Sequence, residues 1–461
     1  MPSETRPAQQ DQEPPADRGT VAPRVTAAAM LSQPAVWLSP VVIGAVLFAL
    51  ISIIYLGVIV NPTSHLRGLP VVIVNEDTPV RTQAGPVDLG REITGKLLTT
   101  PAVSDRLGFT VTTLSGAEES MNSDGAYAAL IIPPHFSADV TALAGAAYPR
   151  GQAPALPALT LLTNVRAGSL GTSLATGVLE PAVAALSRQL GTQLVHAASP
   201  AATAYAPARA LLANPVGLVS ASYRPLPANA GLGQTPFFIA LFVVLCGFIG
   251  AILINSAFDS MIGYAITEVG PVWRLRPPEQ ITRWHTLLAK WAIAAVTAPI
   301  LVAVVLAVAA GALGMDAPHL WELWLFGSYA AATIAIGTLA LTAALGTLGQ
   351  LVGLLVFVYI SLASSGGTIP LQAVPGVYQF FANFEPLRQI LGGTRAILYF
   401  NAIGNAGLDR GLILITIGLA VGLVIGTAAT RWYDHTGRSR IQPRPAQATA
   451  PADRAGITST G

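Results

Sequence analysis

Three residues in the chain could gather a ligand on type and spacing alone. Asn75-Glu76-Asp77 follows the apolar run Leu69–Val74, so two carboxylates and a carboxamide stand at the C-terminal end of a strand, where α/β sheets usually hold a cation or polar ligand. The same three residues also suit a plain turn, because Asn and Asp bond their own backbone. A second constellation lies after Pro386. There Leu387, Ile390, Leu391, Ile397 and Leu398 fall on one helical face, and Arg388, Gly392, Arg395 and Tyr399 on the other. Such a helix can lie in a lipid headgroup layer, with two guanidiniums seven residues apart contacting phosphates; simple interfacial anchoring is the alternative. No phosphate-binding G-x-x-x-x-G-K-[ST] loop, H-E-x-x-H, C-x-x-C or G-x-S-x-G occurs. The six histidines are scattered, His65, His135 and His196 among them, and none has ligand spacing. No enzyme, metal site or cofactor is therefore expected.

The elements that must position these residues follow from composition. Of 461 residues 52% are apolar and only 10% charged, and mean hydropathy is +0.58. An ordinary soluble domain has roughly 25% charged residues, so a soluble enzyme, a disordered chain and a nucleic-acid binder are excluded. Net charge is +2, which attracts no polyanion. The single cysteine, Cys246, lies in an apolar run and can form no disulfide within one chain.

A bilayer needs about 20 apolar helical residues. Trp37–Val60, Phe237–Phe258, Trp291–Leu313 and Gly411–Thr430 each supply one crossing. Trp324–Ala363 runs 40 residues without an ionisable group, twice what one crossing needs, and splits at Gly346-Thr347-Leu348-Gly349-Gln350. The count is six: one N-terminal helix and five C-terminal ones. Arg274, Arg276, Arg283 and Lys290 lie between the second and third, and Arg431, Arg438, Arg440, Arg444 and Arg454 follow the last. By the positive-inside rule both termini are cytoplasmic and residues 61–236 are outside, in the plasma membrane. Arg388, Arg395 and Arg410 then fall outside, against that rule. Lys290, next to Trp291, reads as a snorkelling anchor. Gly418, Gly422 and Gly426, and likewise Gly327, Ala331 and Ala335, form small-residue stripes for close helix packing, within the chain or across a homodimer.

Residues 61–236 alternate strands and helices and so predict an inserted α/β domain. Strands are expected at Leu69–Asn75, Phe109–Leu114, Ala126–Ile132 and Ala158–Thr163. Helices are expected at Val87–Leu98, from Ser115 to about Ser123, at Pro134–Ala144 and from Ser169 to about His196; Ala197–Gly233 reads as a linker. Residues 1–36 and the Arg/Pro-rich tail within 431–461 read as disordered. The fold class is thus an α-helical membrane protein with an α/β extracytoplasmic insert and a five-helix membrane domain over 237–430.

Leu69-Pro-Val-Val-Ile-Val-Asn-Glu-Asp77 and Tyr127-Ala-Ala-Leu-Ile-Ile-Pro-Pro-His-Phe-Ser137 resemble the outer domain of YhgE/Pip-type proteins. Pro386-Leu-Arg-Gln-Ile-Leu-Gly-Gly-Thr-Arg-Ala-Ile-Leu-Tyr-Phe400 is similar to the family of the yeast nitrosoguanidine-resistance protein. Both are grouped with type 2 permeases of ABC exporters, and the resemblance covers about Val36 to Tyr433. It implies transport without naming a cargo. The uncharged spans suit an amphiphile, and because no ATP-binding motif is encoded the expected export permease would draw on a separate ATPase. The resemblance also implies that the ATPase meets Ser260–Trp284, with Glu268, Arg274 and Arg276 as contacts. Relatives proposed as phage receptors or secretion parts imply the alternative, a membrane-anchored receptor or scaffold acting through the outer domain.

Overall fold

The computed structural model describes residues 32, 34–59, 61–82, 85–145, 156–197, 206–274 and 276–438. Most of the leader and the tail beyond Arg438 lie outside the described residues.

Helix α1, Pro34–Ile59, is continuous over the first predicted span and apolar throughout. From Ile54 onward the chain forms a separate compact unit.

In that unit β1 (Leu69–Asn75) begins an α/β layer. A small hairpin, β2 (Val80–Thr82) and β3 (Gly85–Val87), leads to α2 (Leu89–Thr99). Then come β4 (Leu107–Thr112), α3 (Leu114–Asn122), β5 (Ala128–Ile132), α4 (Phe136–Gly145), β6 (Ala158–Thr163) and α5 (Ser169–Ala197). With β7 (Gly217–Ser222) as the last strand, the order is β4-β1-β5-β6-β7, parallel at every pair except β5–β6. β1 is apolar from Leu69 to Val74 because it is covered twice. Leu69, Val71 and Ile73 pack with Leu97, Phe136, Val140 and Leu179 from α2, α4 and α5, while Val72 and Val74 pack with Ala117 and Met121 from α3.

Three expectations are corrected here. The stretch read as a linker contains α6 (Ala206–Ala213) and the fifth strand, β7 (Gly217–Ser222), whose outer residues are exposed and so lack the apolar signature of a core strand. Helix α3 begins at Leu114, one residue before the expected Ser115, and is capped by Thr113, whose Oγ1 accepts from Gly116 N. The strand before it ends at Thr112, two residues short of the expected Leu114.

Five long apolar helices follow: α7 (Thr235–Met261), α8 (Arg283–Ala312), α9 (Leu320–Leu345), α10 (Thr347–Ser364) and, after two short helices, the last long one. The 40-residue run does break, at Gly346, which adopts φ +65° and lets α10 turn away from α9. The short helices are α11 (Gly376–Phe381) and α12 (Pro386–Tyr399), and α13 (Leu408–His435) ends the bundle. Among the described residues six helices are long and apolar enough to cross a membrane, and α5 is one of them. Yet α5 places Ala175, Leu179 and Val183 in the sheet's core, so its apolar face is already covered. Helices α7 to α10 and α13 identify a multi-pass membrane protein. The glycine stripe of α13 is used within the chain: Gly422 sits against the Gly337 backbone of α9, and Gly426 against Trp291 and Leu287 of α8. Between α7 and α8, β8 (Thr267–Val269) and β9 (Val272–Arg274) form an exposed hairpin that presents Glu268, Trp273 and Arg274.

Candidate functional site

Around Asp77 the structure gives a clasp rather than an open ligand turn, in keeping with the plain-turn reading of these residues. Asp77 Oδ1 accepts from Ser137 N at 2.8 Å, and Oδ2 accepts from Ser137 Oγ at 2.5 Å and from Gly90 N at 2.9 Å. Asn75 Oδ1 accepts from Asp77 N, closing an Asx turn. Ser137 Oγ in turn accepts from Leu89 N at 2.8 Å. One carboxylate therefore ties the first turns of α2 and α4 to the end of β1, a role that suits negative charge. Only Glu76 of the three remains exposed. Asp77→Ala strips the acceptor from three donors and should destabilise the protein by about 2–4 kcal/mol, read as a lower melting temperature in detergent.

The second constellation is also rearranged. Helix α12 does not lie on a surface. It packs against α7, α9 and α13, and Leu387, Gln389, Ile390, Leu391, Gly393, Thr394 and Tyr399 are all buried. Two features hold it there. Glu385, itself buried, caps the helix by accepting from Leu387 N at 2.8 Å and Arg388 N at 2.7 Å. Gly392 and Gly407 cross backbone to backbone, so that a Cβ on Gly407 would stand 3.0 Å from the Gly392 carbonyl. The amphipathic pattern was real, but its polar face meets the α/β domain across a cleft instead of lying flat in an open headgroup layer.

Of the face residues, Tyr399 is removed from any exposed contact, since its hydroxyl donates to Ala230 O at 3.2 Å. Its carbonyl accepts from Arg166 Nη1 of the α/β domain at 3.0 Å. Arg395 is neutralised: its Nη1 lies 2.9 Å from Asp124 Oδ2, with both side chains largely buried. Arg388 lines a cleft of about 240 Å³ with Arg410, Arg395, Asp124 and Tyr127. Burial pushes the Asp124 carboxyl above its ordinary pKa, opposed by the charges of Arg395 and Arg388. Burial likewise raises the Tyr127 phenol, with Arg395 pulling the other way. Both groups belong to the α/β domain, so the cleft is built from two parts of the chain that sequence order separates by more than 250 residues.

Asp124, Tyr127 and Arg410 were missed as site residues. Asp124 sits at φ +59° just before Gly125, a turn signal that says nothing of its partner. The usable signal was the three arginines that stood against the positive-inside rule.

A third cluster lies at the other end of the bundle. Lys290 is buried and donates to Asn255 Oδ1 and to Asp259 Oδ1, each at 2.7 Å. This corrects the snorkelling reading, because the ammonium turns inward to a carboxylate on α7. Asp434 near the end of α13 accepts from Arg283 N and Trp284 N at the start of α8. Of the resemblance-derived contacts, Glu268 and Arg274 lie on the exposed hairpin and Arg276 just beyond it. Among the described residues no group of three His, Cys, Asp or Glu side chains could hold a metal.

Comparison with known proteins gives a family without an activity. The family described as "Protein of unknown function (DUF3533)" matches residues 40–422. The uncharacterized protein YhgE of Bacillus subtilis (strain 168) is 21% identical over 215 residues, 46% of this chain and 25% of YhgE, which bears out the YhgE-type resemblance. The match thus spans about a quarter of that relative's length. A solved domain assigned to an ABC type-2 transporter of Thermotoga maritima MSB8 is 20% identical and matches 33% of this chain and 85% of its own, with a TM-score of 0.23.

Proposed function

Because the chain belongs to the DUF3533 family, whose description names no activity, we propose its function from its own architecture: an export permease of the plasma membrane for an amphiphilic substrate. Both termini are cytoplasmic, the α/β domain is extracytoplasmic, and two copies form the working unit. The observation behind this reading is the buried helix α12, which folds back among α7, α9 and α13 and joins them to the α/β domain. A polar cleft at one end of long helices whose charged residues lie toward their ends suits a substrate with an apolar body and a polar head. The exposed β8–β9 hairpin suits a separate ATPase partner, met through Glu268, Arg274 and Arg276.

A cell lacking the chain should retain a lipophilic dye and alter its envelope lipids, and the wild-type gene should restore both. Unchanged dye retention together with unchanged lipids would remove the export reading. A receptor or scaffold role draws instead on a cavity of about 490 Å³ between α2 and α5, lined by Leu97, Val103, Arg106, Val178 and Leu186. Under that role a block in this cavity, and not one at α12, abolishes the phenotype.

A further inference from the structure

Three guanidiniums face one cleft, and they are not equivalent. Arg395 has a counter-ion in Asp124. Arg388 and Arg410 line the same space. Among the described residues neither makes an ion pair or side-chain hydrogen bond, although buried Glu385 acts on Arg388 through its field while capping α12. Gly366 leaves room for the first of them: a Cβ there would lie 2.9 Å from Arg388 Nη1. The lining groups thus carry three positive charges against one carboxylate, with the Tyr127 phenol alongside. Arg388 is half-buried and Arg410 exposed at the mouth of the cleft, so an anion between them relieves a repulsion that is strongest at Arg388.

We propose that Arg388 and Arg410 form a binding site for a phosphate-bearing headgroup, enclosed from above by Asp124 and Tyr127 of the α/β domain. The cleft, at about 240 Å³, holds a headgroup and not a whole lipid. Any acyl chains lie outside it along the apolar helices. Guanidinium forks match phosphate oxygens in pairs, which sets this site apart from one built of lysines. Arg395 is a positioning residue, keeping α12 against Asp124 while the other two arginines receive the anion. This assignment deepens the export reading and rests on it only for the substrate's role as cargo, not for binding.

The test uses the purified full-length chain. Native mass spectrometry in detergent measures retention of phosphatidic acid against diacylglycerol, which lacks the phosphate. Calorimetry measures glycerol 3-phosphate and inorganic phosphate. The wild type should retain phosphatidic acid over diacylglycerol. R388Q and R410Q should each lose about tenfold or more of that affinity, while R431Q at the far end of α13 should bind as wild type. R388K and R410K, which keep the charge but not the fork, should fall between and serve where the glutamine variants do not fold. Retention of the lipid alone identifies a membrane-borne headgroup; binding of the soluble phosphates with the same arginine dependence identifies a free one. The proposal is overturned if R388Q and R410Q, or the lysine variants, bind as wild type, or if diacylglycerol binds as well as phosphatidic acid. Binding that persists in a chain that exports nothing would remove the export reading and leave this one standing.

Discussion

Asp124→Ala is expected to destabilise the protein by about 3–5 kcal/mol, the largest effect of any single truncation in the cleft. The change leaves the Arg395 guanidinium, 11% exposed, without the carboxylate 2.9 Å away. Desolvation is what makes the loss large, since a surface pair of the same geometry contributes at most about 1 kcal/mol. The raised pKa of Asp124 has the same origin, because burial disfavours its charge more than the neighbouring arginines favour it. It follows that removing both charges together should cost less than removing one. Asp124→Leu/Arg395→Met should melt above either single variant, and a double-mutant cycle on the full-length chain checks this. If each single variant melts as wild type, the two parts of the chain are not held together by this pair.

Lys290→Met should have an effect of similar size at the opposite end of the bundle. Lys290 is 5% exposed and its ammonium lies within hydrogen-bonding distance of Asn255 and Asp259 on α7, so it joins α8 to α7 as well as balancing a carboxylate. Truncation takes the cation from Asp259 in a region walled by Leu287, Leu339 and Ala343, at a cost of about 3–5 kcal/mol. Lys290→Arg should recover part of the loss, because it keeps the charge while changing the fit. Melting curves in detergent for the three proteins give the comparison. A Lys290→Met variant as stable as wild type would mean that water, not Asp259, satisfies the ammonium.

The long helices were legible because hydropathy and length need no tertiary information. Even the break in the 40-residue run could be placed, since Gly346 is where a positive φ is cheap. Most strands of the α/β domain were legible for a similar reason, with β1 apolar on both faces. What was hidden depended on burial by distant segments. β7 looks like linker because its pairing with β6 comes through the backbone, not through apolar side chains. The face of α12 looked like a surface lying in the headgroup layer because periodicity shows that a face is polar but not what meets it. Asp77 looked like a ligand for the same reason: nothing in a single sequence tells that Ser137 and Gly90 already occupy its oxygens. The stripe of Gly418, Gly422 and Gly426 marked a close approach and left open which helix makes it.

The most direct test of the whole account is side-specific labelling of intact cells. Cys246→Ser removes the one native thiol, after which single cysteines replace Glu118 on the surface of α3 and Arg276 beside the β8–β9 hairpin. A membrane-impermeant maleimide should modify the cysteine at 118 without lysis and the one at 276 only after it. Labelling of position 276 from outside, or protection of position 118 until the membrane is opened, would contradict an extracytoplasmic α/β domain standing over the arginine cleft.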